Sequence, residues 1–113
     1  MNINRGDIFI AVLDPVIGHE ISKTRPVVVV SNDKNNRYAG TITVLPITSQ
    51  NLEKIYPFEF FLEKGAGNLP KNSKVKTDQI RTLDRKRLVK HIGTLEECVM
   101  ISIDSAIKIH LSL

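Results

Sequence analysis

Arg25 stands directly before Pro26 and a run of four valines, Val27 to Val30. A permanently charged guanidinium at the mouth of an apolar strand is costly unless it is paired or has a role. Farther along, Thr48 closes the segment "TITVLPIT" and is followed by Ser49, Gln50 and Asn51, a cluster of hydrogen-bonding side chains. Guanidinium plus hydroxyl is not a metal-binding set, and the three histidines, His19, His91 and His110, show no ligand spacing. The sequence has no Walker loop, GxGxxG or GxSxG motif. Chemistry resting on an alcohol, a guanidinium and at most one imidazole suits a substrate that brings its own nucleophile. RNA does so through its 2′-OH: a protein need only align that oxygen, move protons and stabilise the charge that builds on phosphorus. A bidentate arginine matches such a phosphate.

These side chains must be held by short strands. "DIFIAVL" (Asp7 to Leu13) alternates and is rich in β-formers, so it reads as a strand. "DPVIGHEISKT" (14–24) opens with Asp-Pro and reads as a long polar loop. "PVVVVS" reads as a more fully buried strand, "NDKNNRYAG" as turn chemistry, and "TITVLPIT" as a third strand whose Pro46 places it at a sheet edge or a bulge. "YPFEFFL" reads as a fourth strand, with "KVKTDQIRTL" and "LVKHIGTL" as further short ones. Antiparallel pairing of the second and third strands, folded about Asn36 and Arg37, sets Arg25 opposite Thr48 at one rim of the sheet. "TLEE" (Thr94 to Glu97) has the form of a capping box, and Leu95, Val99, Ile103, Ala106 and Ile107 follow at helical spacing. Five to seven short strands and one terminal amphipathic helix suggest a mainly β chain, a small barrel or a strongly bent sheet.

The totals agree with one ordinary globular domain, residues 1–113, with 42% hydrophobic and 25% charged residues. No apolar run approaches the roughly 18 residues of a membrane helix, no secretory signal is evident, and the single Cys98 fits a reducing compartment. The expected location is the cytoplasm. The net charge is +4, and Pro70 to Lys90 concentrates Lys and Arg with only Asp78 and Asp84 as acids, a footprint for a polyanion. Arg5 and Asp7 are read as anchors of the first strand, with Gly6 meeting a backbone demand. Cys98 is read as a core or interface residue, and His91 and His110 as surface or structural residues.

"RGDIF" (Arg5 to Phe9), "KTRPVVVVSND" (Lys23 to Asp33), "LPITSQ" (Leu45 to Gln50) and "VKTDQIRTLDRKRL" (Val75 to Leu88) together resemble the MazF/PemK family of bacterial toxins, in order and with family-like gaps across most of the chain. The resemblance implies a small SH3-like β-barrel with a C-terminal α-helix, working as a homodimer. It implies a metal-independent endoribonuclease without cofactor, which cuts single-stranded RNA at short motifs and leaves a 2′,3′-cyclic phosphate and a 5′-OH. It also implies a cognate antitoxin, expected to be small, acidic and partly disordered before binding. Carried over by motif, Arg25 and Thr48 become the catalytic pair. Arg25 contacts the scissile phosphate and stabilises charge, since a pKa above about 12 makes it a poor base. Thr48 donates to a non-bridging oxygen. Lys23, Ser49 and Gln50 lie in the same motifs and are expected to touch substrate.

Two features remain open at this level. His19, in "VIGHE", stands where many relatives carry a small hydroxyl; it is either a loop residue that touches substrate or the general base an Arg–Thr pair lacks. In "DQIR", read as strand, Gln79 and Arg81 share one face and Asp78 the other, making Asp78, Gln79 and Arg81 candidates for contacting RNA. The competing function is a non-catalytic basic barrel that binds nucleic acid or an acidic partner peptide. A member of the family that has lost activity is a third.

Overall fold

The computed structural model describes every residue except 16, 21 and 22. The part of the 14–24 loop expectation that falls on those three lies outside the described residues. Seven strands form: β1 (Asp7–Val12), β2 (Thr24–Val29), β3 (Thr41–Thr48), β4 (Glu59–Leu62), β5 (Ser73–Lys76), β6 (Arg81–Asp84) and β7 (Leu88–Thr94). Two helices join them, α1 (Asp33–Tyr38) and α2 (Glu97–Leu111). All pairings are antiparallel, in the order β4-β5-β3-β2-β1-β7, with β6 also on β3. Among the described residues the sheet is not closed by hydrogen bonds, so "SH3-like barrel" describes it only loosely.

Alternation explains why both faces are filled. Val28 joins Ile8, Leu45, Ile47 and Val75 in one apolar cluster, which Met100 and Ile103 of α2 cover. Val27 and Val29 join Phe9, Ala11, Ile42, Val44 and Leu83 in the other. The valine run is therefore apolar at every position because each face of β2 has its own core.

β3 is the pivot. Thr41 to Val44 pair with β6, while Ile47 and Thr48 pair with β5. Pro46 sits between these two partners and faces Val27 of β2 on the other side. It is thus inside the sheet rather than on an edge, at the handover where neither β5 nor β6 pairs with it.

Other expectations change. Residues 33–38 are a helix rather than a turn: the Asn32 carboxamide accepts the Asn35 N–H at 2.8 Å, an N-cap that asparagine-rich sequence disguises as turn chemistry. The strand expected from Tyr56 begins only at Glu59. The capping box does not form. Thr94 Oγ1 donates instead to Asp7 Oδ1 at 2.7 Å, and α2 starts at Glu97 behind Glu96, which makes no side-chain cap bond. Thr77–Gln79 is a 3₁₀ turn between β5 and β6, so Asp78 and Gln79 do not alternate on a strand. Of the two readings of Cys98, its exposure on the first turn of α2 removes the core and leaves the interface.

Arg5 and Asp7 do anchor β1. The Arg5 guanidinium donates to the Val30 carbonyl and pairs with Asp104 of α2, and Asp7 accepts from the Asn4 N–H at 2.8 Å. Gly6 between them has φ +93°, a conformation side chains rarely adopt. His91 meets the Phe9 ring edge-on at 5.2 Å and places Nε2 3.3 Å from Asp7 Oδ1, a structural role. Among the described residues no helix is long and apolar enough to cross a membrane.

Candidate active site

The β2–β3 register aligns Val27 with Pro46, Val28 with Leu45 and Val29 with Val44. Continued by two residues, it sets Arg25 across from Thr48, the position the strand arithmetic anticipates. Arg25 is half-buried at the mouth of β2, and Thr48 is buried at the end of β3. Both line one cleft of about 180 Å³, together with His19, Gln50, Asn51, Lys74, Lys76 and Gln79. Arg25 also forms part of an adjoining cleft of about 190 Å³ walled by Pro26, Ile47, Ser49, Leu69, Pro70 and Lys71. One guanidinium thus borders a polar hollow and a more apolar one.

Local backbone geometry sets the Thr48 hydroxyl. Its Oγ1 accepts the Gln50 N–H at 3.2 Å, so the hydroxyl proton is left to be donated elsewhere. Gln79 reaches toward the His19 loop, its Nε2 3.5 Å from the His19 carbonyl. The turn at Thr77–Gln79, rather than a strand, is what brings Gln79 to this cleft. His19 is exposed.

The expected site residues divide by placement. His19, Arg25, Thr48, Gln50 and Gln79 share the polar cleft, and Ser49 lines the adjoining one. Lys23, Asp78 and Arg81 line neither. Lys23 has φ +69° and donates its N–H to Asp14 Oδ1 at 2.9 Å. Arg81 begins β6 opposite Val44. The basic run is also less available than its composition suggests. Arg85 donates to the carbonyls of Asn36 and Ala39, and Arg87 to those of Val12 and Asp14. These two cations tie loops rather than face a partner.

Asn51 belongs to the hydrogen-bonding cluster that follows Thr48, whereas Lys74 and Lys76 lie within the basic run and were not singled out by sequence reasoning. The signal was the alternation of "SKVK" beside Thr48: the β3–β5 register sets Thr48 against Lys74, and Lys76 follows on the same face. Beneath them lies Glu59, buried on β4 opposite Lys76. Burial opposes the charge of this carboxylate, but hydrogen bonds from Lys76, the Tyr56 backbone and Lys74 outweigh it and hold its pKa below the ordinary value. Among the described residues no cluster of His, Cys, Asp and Glu could hold a metal ion.

A family described as "PemK-like, MazF-like toxin of type II toxin-antitoxin system" matches residues 4–111. The chain belongs to this family. It is 40% identical over 116 residues to Endoribonuclease MazF9 of Mycobacterium tuberculosis, covering 98% of each chain. It is 41% identical over 111 residues to Endoribonuclease MazF of Staphylococcus epidermidis, covering 98% of this chain and 92% of that one. The crystal structure of MazF from Deinococcus radiodurans superposes with a TM-score of 0.85 at 26% identity, covering 100% of this chain and 99% of the other. The MazF likeness thus spans the sheet and both helices.

Proposed function

We propose that this chain is a toxin endoribonuclease that cuts single-stranded RNA, with Arg25 and Thr48 as its catalytic pair. One observation carries the reading: two neighbouring antiparallel strands bring a guanidinium and a hydroxyl to one polar cleft. Membership of a toxin family whose relatives are named endoribonucleases supports it. In the mechanism, the substrate's 2′-OH attacks the adjacent phosphorus. Arg25 stabilises the extra negative charge on the phosphoryl oxygens, and the Thr48 hydroxyl donates to a non-bridging oxygen. The P–O5′ bond breaks as the P–O2′ bond forms, and one proton lost from the 2′-OH is matched by one delivered to the leaving 5′-oxygen, giving a 2′,3′-cyclic phosphate and a 5′-OH. No metal is required by this scheme. Lys23, Ser49, Gln50, Asp78, Gln79 and Arg81 are the proposed RNA contacts, with Gln50 and Gln79 best placed to meet base edges in the cleft.

His19 lines the same cleft, and we assign it either contact with substrate or removal of the 2′-OH proton. A pH–rate profile decides: matching profiles and rates for wild type and His19→Ala exclude it as the base.

The chain acts in the cytoplasm as one domain over residues 1–113, paired with a second copy, and is restrained by a cognate acidic antitoxin. The test is incubation with a long single-stranded RNA in EDTA. Discrete cuts bearing cyclic phosphate ends are expected. Retention of the RNA without cuts favours the non-catalytic basic barrel that binds nucleic acid or an acidic peptide. Light scattering of the purified chain reads the dimer directly.

A further inference from the structure

Lys74 and Lys76 stand two residues apart on β5 and share the Glu59 carboxylate, yet their surroundings differ. Lys74 is entombed. Its Nζ donates to the Asn51 carbonyl at 2.9 Å, the Lys54 carbonyl at 3.1 Å and Glu59 Oε1 at 3.0 Å, which occupies all three of its protons. Its role is to pin the 51–54 loop to the sheet. Lys76 donates to Glu59 Oε2 at 2.9 Å and lies 3.7 Å from Asp78 Oδ1, beyond hydrogen-bond distance. Its side chain lines the polar cleft together with Arg25 and Thr48.

We propose that Lys76 is the second phosphate-binding cation of the Arg25–Thr48 cleft, tethered by Glu59 so that it meets the RNA backbone beside Arg25. The inference rests on the nuclease reading for the identity of the polyanion. Three features carry it. The tether removes much of the rotamer freedom a surface lysine loses on binding, so the charge is in place before substrate arrives. An ammonium is a compact point charge suited to a single non-bridging oxygen, complementing the flat fork of Arg25. Asp78 Oδ1, buried without a hydrogen-bond partner among the described residues, lies 3.7 Å from the same ammonium and helps to hold it in place. Burial pulls the Lys76 pKa down, but the Glu59 hydrogen bond and the Asp78 and Glu59 charges outweigh it and raise the pKa above the ordinary lysine value. Lys76 therefore serves as a fixed cation, not as a proton carrier.

The experiment uses Lys76→Gln, Lys76→Met and Lys76→Arg in the full chain. Glu59 keeps Lys74 in each, so the fold is expected to survive. Binding of a labelled, mixed-sequence single-stranded DNA, which lacks the 2′-OH, is titrated against salt. Cleavage of a long single-stranded RNA is measured in parallel. Loss of one phosphate contact lowers the magnitude of the salt slope by about 0.7. That change is expected in Lys76→Gln and Lys76→Met, with recovery in Lys76→Arg. Cleavage is expected to fall roughly 10-fold, more through KM than through kcat. An unchanged slope in a folded Lys76→Gln overturns the proposal. Loss of the fold in both Lys76→Gln and Lys76→Met also overturns it, by making the lysine a structural partner of Glu59. If wild-type protein binds DNA but leaves RNA uncut, the nuclease reading fails while the slope still decides the role of Lys76.

Discussion

Two arginines introduce the first two strands, and the molecule puts them to different uses. Arg5 lies at a corner where the chain start, the end of β2 and α2 meet. Its guanidinium is closed off by the Val30 carbonyl and the Asp104 carboxylate, and its own N–H donates to Asp33 Oδ1 at 2.6 Å. A depression of about 770 Å³ opens there, far larger than either hollow beside Arg25. The proposed chemistry lies at the smaller hollow. The corner pairs Arg5 with Asp104, and Lys108 and several neutral polar side chains line it beside Val30, Ile80, Ile107 and Leu113. The rim instead gathers Arg25, Lys74, Lys76, a hydroxyl and amides, and buries its main counter-charge, Glu59, below the cleft.

The comparison is sharpest where a change should hurt one region and spare the other. Glu59→Leu leaves two neighbouring ammonium groups without their shared anion. A loss of about 3–5 kcal/mol is expected from urea unfolding. The same network predicts a pH dependence. The Glu59 pKa is lowered in the folded state, so its stabilisation is present above the ordinary 4.5 and is lost as pH falls through the folded value. The Lys76 pKa is raised, so its share is present below the ordinary 10.5 and is lost as pH rises through the folded value. Urea midpoints across pH should therefore decline at both extremes, and the acid-side decline should flatten in Glu59→Leu.

Arg25→Ala should leave the fold intact and lower RNA cleavage by about 10²–10³, with Thr48→Val close behind. Wild-type cleavage rates from either variant would break the contrast between rim and corner. Gly93→Ala tests the seam between β7 and the Ala66–Asn68 turn. A Cβ there would stand 2.4 Å from the Gly67 carbonyl oxygen, a backbone atom that cannot swing aside. A destabilisation of about 1–3 kcal/mol is expected from overpacking, read as a lowered thermal midpoint. The smallest effect belongs to Asp104→Asn. Its pair with Arg5 is partly exposed, so the expected cost is about 0–1 kcal/mol with no change in cleavage. A large loss of cleavage there would mean that the corner, too, takes part in the reaction.

Much of the scaffold was legible in local pattern. The alternation of β1, the doubly buried valines of β2 and the helical spacing after Thr94 follow from one chain's own periodicity. Even the facing of Arg25 and Thr48 follows from counting along two strands joined by a short connection. What failed were segments whose polar side chains had several local options. Asn32 capped a helix where its composition suggested a turn, and Thr94 turned to Asp7 rather than to its own helix. A propensity names what a residue can do, and the tertiary partner selects among those choices.

The sequence alone determined which residues could do chemistry and which two strands carry them, because strand register depends on spacing within one chain. Only the tertiary structure decided which cations serve the cleft. Lys74, Lys76, Arg85 and Arg87 belong to one basic run, yet they divide between buried tether, cleft wall and loop tie. That division is set by carboxylates and carbonyls brought from distant segments, above all by Glu59 on β4, and charge acts over ångströms in space whatever its distance along the chain.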